Sequence, residues 1–150
     1  MSTANLLLFV CTTRHRYVVR RDQIAEIRLI RSSADLELPD ARGRTLVCQE
    51  LGPLLDPLDI RSNARRHALI IATRRRSVAL LAERMDDFVG MAPDTIQRLS
   101  PLLARRLARP WVLGALVCDD LPLLVLDLRQ IAQDVLLGMH TMHTASNADR

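Results

Sequence analysis

The sequence predicts an all-β domain with short helices, built from two similar small barrels. Its apolar runs are short and bounded by polar or turn residues, the size of strands. A hairpin pattern occurs twice. Val10-Cys11-Thr12-Thr13-Arg14-His15-Arg16-Tyr17-Val18-Val19 and Ile71-Ala72-Thr73-Arg74-Arg75-Arg76-Ser77-Val78-Ala79 both read apolar strand, threonine, basic turn, apolar strand. A second unit also repeats: Leu46 to Leu54 and Leu123 to Ile131 each read buried strand, acid, leucine and helical turn. A chain that uses two units twice predicts two related barrels.

The elements follow in order. Leu6–Thr12 and Tyr17–Val19 form a hairpin around the charged turn Thr13–Arg16, and Arg21–Ala25 fits one helical turn. Ile27–Ile30 is a strand, followed by a polar loop to about Arg44. Leu46–Leu51 is the next strand, ended by Gly52 and Pro53 before a short turn at Leu54–Leu55, and Pro57–Arg66 connects onward. Ala68–Thr73 and Ser77–Ala82 make a second hairpin with a basic tip. Phe88–Met91 reads as a short strand and Pro93–Ile96 as a turn. Pro101–Arg109 carries leucines on one side of a helix, with proline at the first helical position. Trp111–Cys118 and Leu121–Leu126 flank Asp119–Asp120 in a third hairpin, with Pro122 at a strand start or edge. Asp127 caps a helix reaching Leu137. The expected domain therefore spans residues 1–137, and 138–150 reads as a disordered tail.

Composition narrows the function. With 150 residues and 49% hydrophobic content, the chain can bury one real core. Its apolar content is aliphatic, and 3% aromatic residues is thin for stacking bases or sugars. The 21 basic residues are all arginine, but 17 acids hold the formal charge to +4. The arginines fall in short groups at turns, which reads as solvated turn charge or interface arginine rather than a phosphate-tracking stripe. Cys11, Cys48 and Cys118 are odd in number and sit in apolar runs, as free thiols of a cytoplasmic protein do. No basic leader precedes Leu6–Cys11, and no run is long enough to span a bilayer, so direct membrane insertion is not expected.

Catalytic patterns do not emerge. There is no nucleophile elbow, glycine-rich phosphate loop or ordered Cys/His pair. Asp86–Asp87 and Asp119–Asp120 are adjacent acids that read as turn chemistry rather than as carboxylates converging across a cleft. His140 and His143 stand three apart in the expected tail without a cysteine nearby, and read as polar tail residues. No enzyme, metal or cofactor is expected. The informative polar residues are those at strand ends near the junction of the halves: Glu26, Arg28, Arg42 and Glu50.

At these residues the sequence resembles the CheW family, the coupling proteins of bacterial chemotaxis arrays. The resemblance rests on Leu8-Phe9-Val10 with Arg16-Tyr17-Val18-Val19, on Gln23-Ile24-Ala25-Glu26-Ile27-Arg28, and on Arg42-Gly43-Arg44-Thr45-Leu46-Val47-Cys48-Gln49-Glu50-Leu51. Val112-Leu113-Gly114 and Leu123–Leu128 complete it. It implies two five-stranded SH3-like barrels, related by pseudo-symmetry around a shared core. It also implies a non-enzymatic adaptor linking a chemoreceptor signalling tip to the regulatory domain of a CheA-type histidine kinase.

By matching position, Ile24, Glu26, Arg28 and Arg42 are receptor-groove candidates, with Glu26 and Arg42 as a cross-groove ion pair. Ala79, Leu81 and Met85 are kinase-contact candidates, for which core packing is the competing reading. The sequence departs from the family between Arg31 and Ala41, where the loop is shorter than usual and lacks the strand that normally precedes the Arg-Gly. Val47 replaces a usual proline, and Ala82-Glu83-Arg84-Met85 a usual Val-Asp-x-Val. These departures point to a divergent member serving a pilus or other non-flagellar pathway. The rival reading is a small barrel that binds nucleic acid through its arginines.

Overall fold

The computed structural model describes residues 6–59, 66–88, 96–106 and 109–148. The strands are β1 (Leu7–Cys11), β2 (Arg16–Arg20), β3 (Glu26–Ile30), β4 (Leu46–Glu50), β5 (Arg66–Ala72), β6 (Ser77–Ala82), β7 (Arg84–Phe88), β8 (Val112–Cys118) and β9 (Leu121–Leu126). The helices are α1 (Ala34–Glu37), α2 (Leu51–Leu55), α3 (Pro101–Arg106) and α4 (Leu128–Ala148), with a 3-10 turn at Arg21–Gln23.

The strands form two sheets, in the orders β7-β1-β2-β9-β8 and β3-β5-β6-β4. The repeat in the sequence is visible in this pairing. The hairpin β1–β2 gains β9 parallel to β2 and β7 antiparallel to β1. The hairpin β5–β6 gains β4 parallel to β6 and β3 antiparallel to β5. Among the described residues, β8, which pairs antiparallel with β9, is the strand without a counterpart. Its counterpart would precede β4, in the loop that the sequence shows to be short.

Among the described residues the smaller half therefore has four strands rather than five, and neither ladder closes on itself. In place of the fifth strand, α1 touches both edge strands, β3 and β4, and its Leu36 packs on the core beneath.

Burial explains why the strands are so apolar. β6 (SVALLA) is buried at every position because both faces of its sheet are covered. Val78, Leu80 and Ala82 enter a core shared by the two sheets, with Leu8, Val10, Val19, Leu69, Ile71 and Leu126. Ala79 and Leu81 point the other way, into the four-stranded half's own core with Ile30, Leu46, Ala68 and Ile70. The five-stranded half has the matching inner core of Leu7, Val18, Leu116, Leu123 and Val125. Period-two alternation thus divides each central strand between a private core and a shared one.

α4 closes the shared core with Leu128, Ile131, Ala132 and Val135. Asp127 caps it, accepting a hydrogen bond from the Gln130 N–H at 3.3 Å. Gln23 grips the same corner, its Oε1 accepting from the Leu128 N–H at 2.9 Å. The helix runs through Gly138 to Ala148, past the domain boundary expected at Leu137. A glycine in a helix interior costs only about 1 kcal/mol relative to alanine, and no proline follows to stop it.

β7 differs from the expected strand at Phe88–Met91, whose last residues lie outside the described ones. Its Arg84 and Asp86 face solvent on an edge strand, where charge is tolerated and discourages further pairing. Residues 93–95 of the expected turn and 107–108 of the expected third helix are also outside the described residues. At the third hairpin, Asp119 and Asp120 adopt φ of 51° and 63°, the paired left-handed geometry of a tight two-residue turn.

Candidate partner-binding surface

β3 forms one edge of the smaller sheet. Glu26 and Arg28 are two residues apart and share a face. The Arg28 fork donates Nε to Glu26 Oε1 at 3.1 Å and Nη2 to Oε2 at 3.2 Å. Its Nη1 also donates to the carbonyls of Asp35 and Leu38, both at 3.0 Å, and Nη2 to that of Pro39 at 3.2 Å. Arg28 therefore holds the 35–39 loop against the edge. Ile27 and Leu29 point to the other face, each 38% exposed.

This corrects the expected Glu26–Arg42 pair. Arg28 lies on the same strand face and takes both oxygens of Glu26, so Arg42 has no part in it. Ile24, also expected at the groove, is only 5% exposed and packs in the shared core.

The turn carrying Arg42 is organised by Asp40. Its Oδ1 accepts from the N–H groups of Arg42 at 2.9 Å and Arg44 at 2.8 Å. Its Oδ2 accepts from Ser77 Oγ at 2.6 Å and Arg44 Nε at 3.1 Å. The Ser77 hydroxyl bond leads, with the Arg44 N–H next, in holding the Asp40 carboxyl well below the usual carboxylate range. Gly43 takes φ +78°, a left-handed conformation that suits glycine and lets the chain turn back to Asp40. Arg44 then reaches across to the Thr73 carbonyl at 3.0 Å, tying this turn to the tip of the β5–β6 hairpin.

Arg42 itself points outward. With Arg74, Arg75 and Arg76 from the hairpin tip and Arg129 from α4, it lines a groove of about 1140 Å³ whose apolar side is formed by Leu136 and Leu137. From the sequence, Arg74–Arg76 read as solvated turn charge and Arg42 as a receptor-groove residue, with nothing to join them on one surface. Their convergence depends on α4 crossing beside the hairpin, a long-range arrangement that no local spacing reveals.

Ala79 and Leu81 are 0% and 5% exposed inside the smaller half's core, so they pack the fold and offer no side chain to a kinase. Met85, on the edge strand β7, is half-buried against the shared core. Glu50 pairs with Arg66 at the seam, beside a cavity of about 20 Å³ where Thr12 Oγ1 donates to Asp59 Oδ2 at 2.5 Å. Asp59 went unnoticed in the sequence, where an acid in a polar connector carries no mark of burial. Asp40 left a clearer sign, an aspartate three residues before a glycine, which is a turn signature.

Among the described residues, no three His, Cys, Asp or Glu side chains gather as a metal site, and no helix is long and apolar enough to cross a membrane. The arrangement offers surfaces: an edge strand with two exposed aliphatic residues, and a basic groove.

Comparison with known proteins agrees with this geometry. Residues 5–136 match the profile of the CheW-like domain. The fold is similar to the crystal structure of the scaffolding protein TtCheW from Thermoanaerobacter tengcongensis, with a TM-score of 0.59 and 11% identity over 83% of this chain and 89% of that one. A search of curated proteins found no match. With the profile covering nearly the whole chain and the two-sheet fold in agreement, the chain belongs to the CheW-like domain family.

Proposed function

We propose that this chain is a non-enzymatic adaptor of a chemotaxis-like signalling array, coupling a chemoreceptor signalling tip to the regulatory domain of a CheA-type histidine kinase in the cytoplasm. The observation that carries this reading is the CheW-like match over residues 5–136. The solved scaffolding protein of the same fold supports it.

The mechanism is positional. An adaptor that binds both partners lets a receptor state bias the kinase through contacts that differ between the two states. Two regions are suited to this. On the receptor side, the exposed Ile27 and Leu29 of β3 provide apolar contact, with Glu26, Arg28 and Arg42 as the polar frame. On the kinase side, β7 presents an outer edge that carries Met85. In the four-stranded half α1 stands beside β3 and β4 where a fifth strand would pair, so a receptor meets a different outline there than a five-stranded barrel presents.

The test is size-exclusion co-elution with a CheA-type regulatory domain and a receptor signalling fragment from the same cell. Adaptor function predicts one complex containing all three. Separate elution at concentrations well above typical signalling affinities defeats the proposal. Nucleic-acid binding is the rival, and its signature is a steep loss of affinity with salt.

A further inference from the structure

The groove between the β5–β6 tip and α4 has a property that the coupling role does not require. Arg20, Arg28, Arg44, Arg66 and Arg84 all sit in ion pairs. Arg42, Arg74, Arg75, Arg76 and Arg129 form none of the ion pairs seen among the described residues, and these five line one groove whose described lining includes no acid. Like charges gathered without counter-charge repel one another, and a cleft of one sign focuses its field on an oppositely charged ligand.

The backbone of the tip and the Arg129 side chain are also held in advance. Arg44 holds the tip through the Thr73 carbonyl, the Arg76 N–H closes the turn on Thr73 Oγ1 at 3.2 Å, and Arg129 Nη2 rests on the Asp22 carbonyl at 3.4 Å. A held surface loses less entropy on binding.

We infer that this groove docks an acidic, amphipathic segment of a partner protein, with carboxylates against the five guanidiniums and apolar side chains on Leu136 and Leu137. Three observations select this occupant. Planar guanidinium forks match carboxylates in paired hydrogen bonds. The volume, about 1140 Å³, exceeds the roughly 300–1,000 Å³ of small-molecule pockets and suits a peptide. Among the described residues, the lining holds aliphatic side chains and no aromatic ring on which a base would stack.

None of the stretches outside the described residues carries more than one acid, which disfavours them as the occupant. A second copy exposes its acids singly or in short pairs, as at the Asp119–Asp120 tip, two carboxylates against five arginines. This inference shares Arg42 with the proposed receptor surface but does not rest on receptor or kinase coupling, since Arg74, Arg75, Arg76 and Arg129 lie outside that surface.

The probe is a short fluorescein-labelled helical peptide with glutamate along one face and leucine along the other, read by fluorescence anisotropy on the full chain. R74E/R75E/R76E should weaken binding by about tenfold or more, while R14E/R98E/R105E, with the same change in net charge, should alter it by less than about twofold. R42E/R129E gives the same reading independently if the first triple variant is poorly folded by circular dichroism. Replacing the peptide's glutamates with glutamine should abolish binding.

Equal weakening by both triple variants overturns the inference. So does tighter binding of a single-stranded oligonucleotide, or of phosphatidylserine vesicles, than of the peptide. Self-association that R74E/R75E/R76E and D119N/D120N both disperse in sedimentation would instead assign the groove to a second copy. Neither receptor nor kinase is present, so failure here leaves the coupling proposal untouched.

Discussion

Ser77 Oγ donates a 2.6 Å hydrogen bond to Asp40 Oδ2, joining the loop before β4 to the first residue of β6. Through this bond the Arg42 turn and the arginine-rich hairpin tip become one rigid corner. Because Asp40 also receives two backbone N–H groups and Arg44, its carboxyl is stabilised as the anion.

Asp40 makes stability depend on acid. Its folded pKa is depressed, so its contribution is fully present above the unfolded aspartate value of about 3.9 and is lost as pH falls toward the folded value. Asp35 and Asp56 are depressed too, chiefly by backbone N–H groups, and add in the same direction. Thermal midpoints measured from about pH 7 to about pH 3 should fall steeply below about pH 4. Asp40→Asn should have a lower midpoint at neutral pH and a shallower acid slope. A variant with the parent's profile contradicts the role given to this carboxylate.

Leu80 tests the double-sided burial of β6. It is 0% exposed in the shared core. Leu80→Ala should cost about 2–5 kcal/mol in denaturant unfolding, and Leu80→Asp should prevent folding because it buries an unpaired charge. A folded, soluble Leu80→Asp protein would show the β6 register to be wrong.

Gly114 tests the seam between β8 and the segment before α3. A Cβ there would lie 2.2 Å from the Gln97 carbonyl oxygen, where Gln97 and Ala115 exchange backbone hydrogen bonds. Gly114→Ala should destabilise by about 1–3 kcal/mol and speed hydrogen exchange at the Ala115 amide. Unchanged exchange would mean that this bridge is not formed in solution.

Arg42 separates binding from folding. It is exposed and outside the Glu26–Arg28 pair. Arg42→Glu should weaken receptor-tip binding in a pull-down or calorimetric titration while moving the thermal midpoint little. Unaltered affinity would remove Arg42 from the receptor surface.

Much of the fold was legible because strand length, turn chemistry and repetition are local. The two hairpins and the strand–acid–leucine units appear where the sequence placed them, and the short 31–41 loop foreshadowed the missing fifth strand. β7 escaped because an edge strand may carry charge, which hides its strand period. The surface was harder to read. Apolar residues in and beside strands look alike whether they face a partner or a core: Ile24 read as a groove residue but is buried, and for Ala79 and Leu81 burial favours the core reading over the kinase contact. Glu26 found Arg28 rather than Arg42 because the nearer guanidinium was already held by the loop carbonyls. The arginine groove required residues from three distant segments to meet.

The coupling role is most directly tested by titrating this chain against the purified regulatory domain of a CheA-type kinase and a receptor signalling fragment from the same cell, with complex formation followed by size-exclusion chromatography. The account predicts that the chain binds each partner and that all three elute together. A chain that binds neither partner, alone or in the mixture, would contradict it.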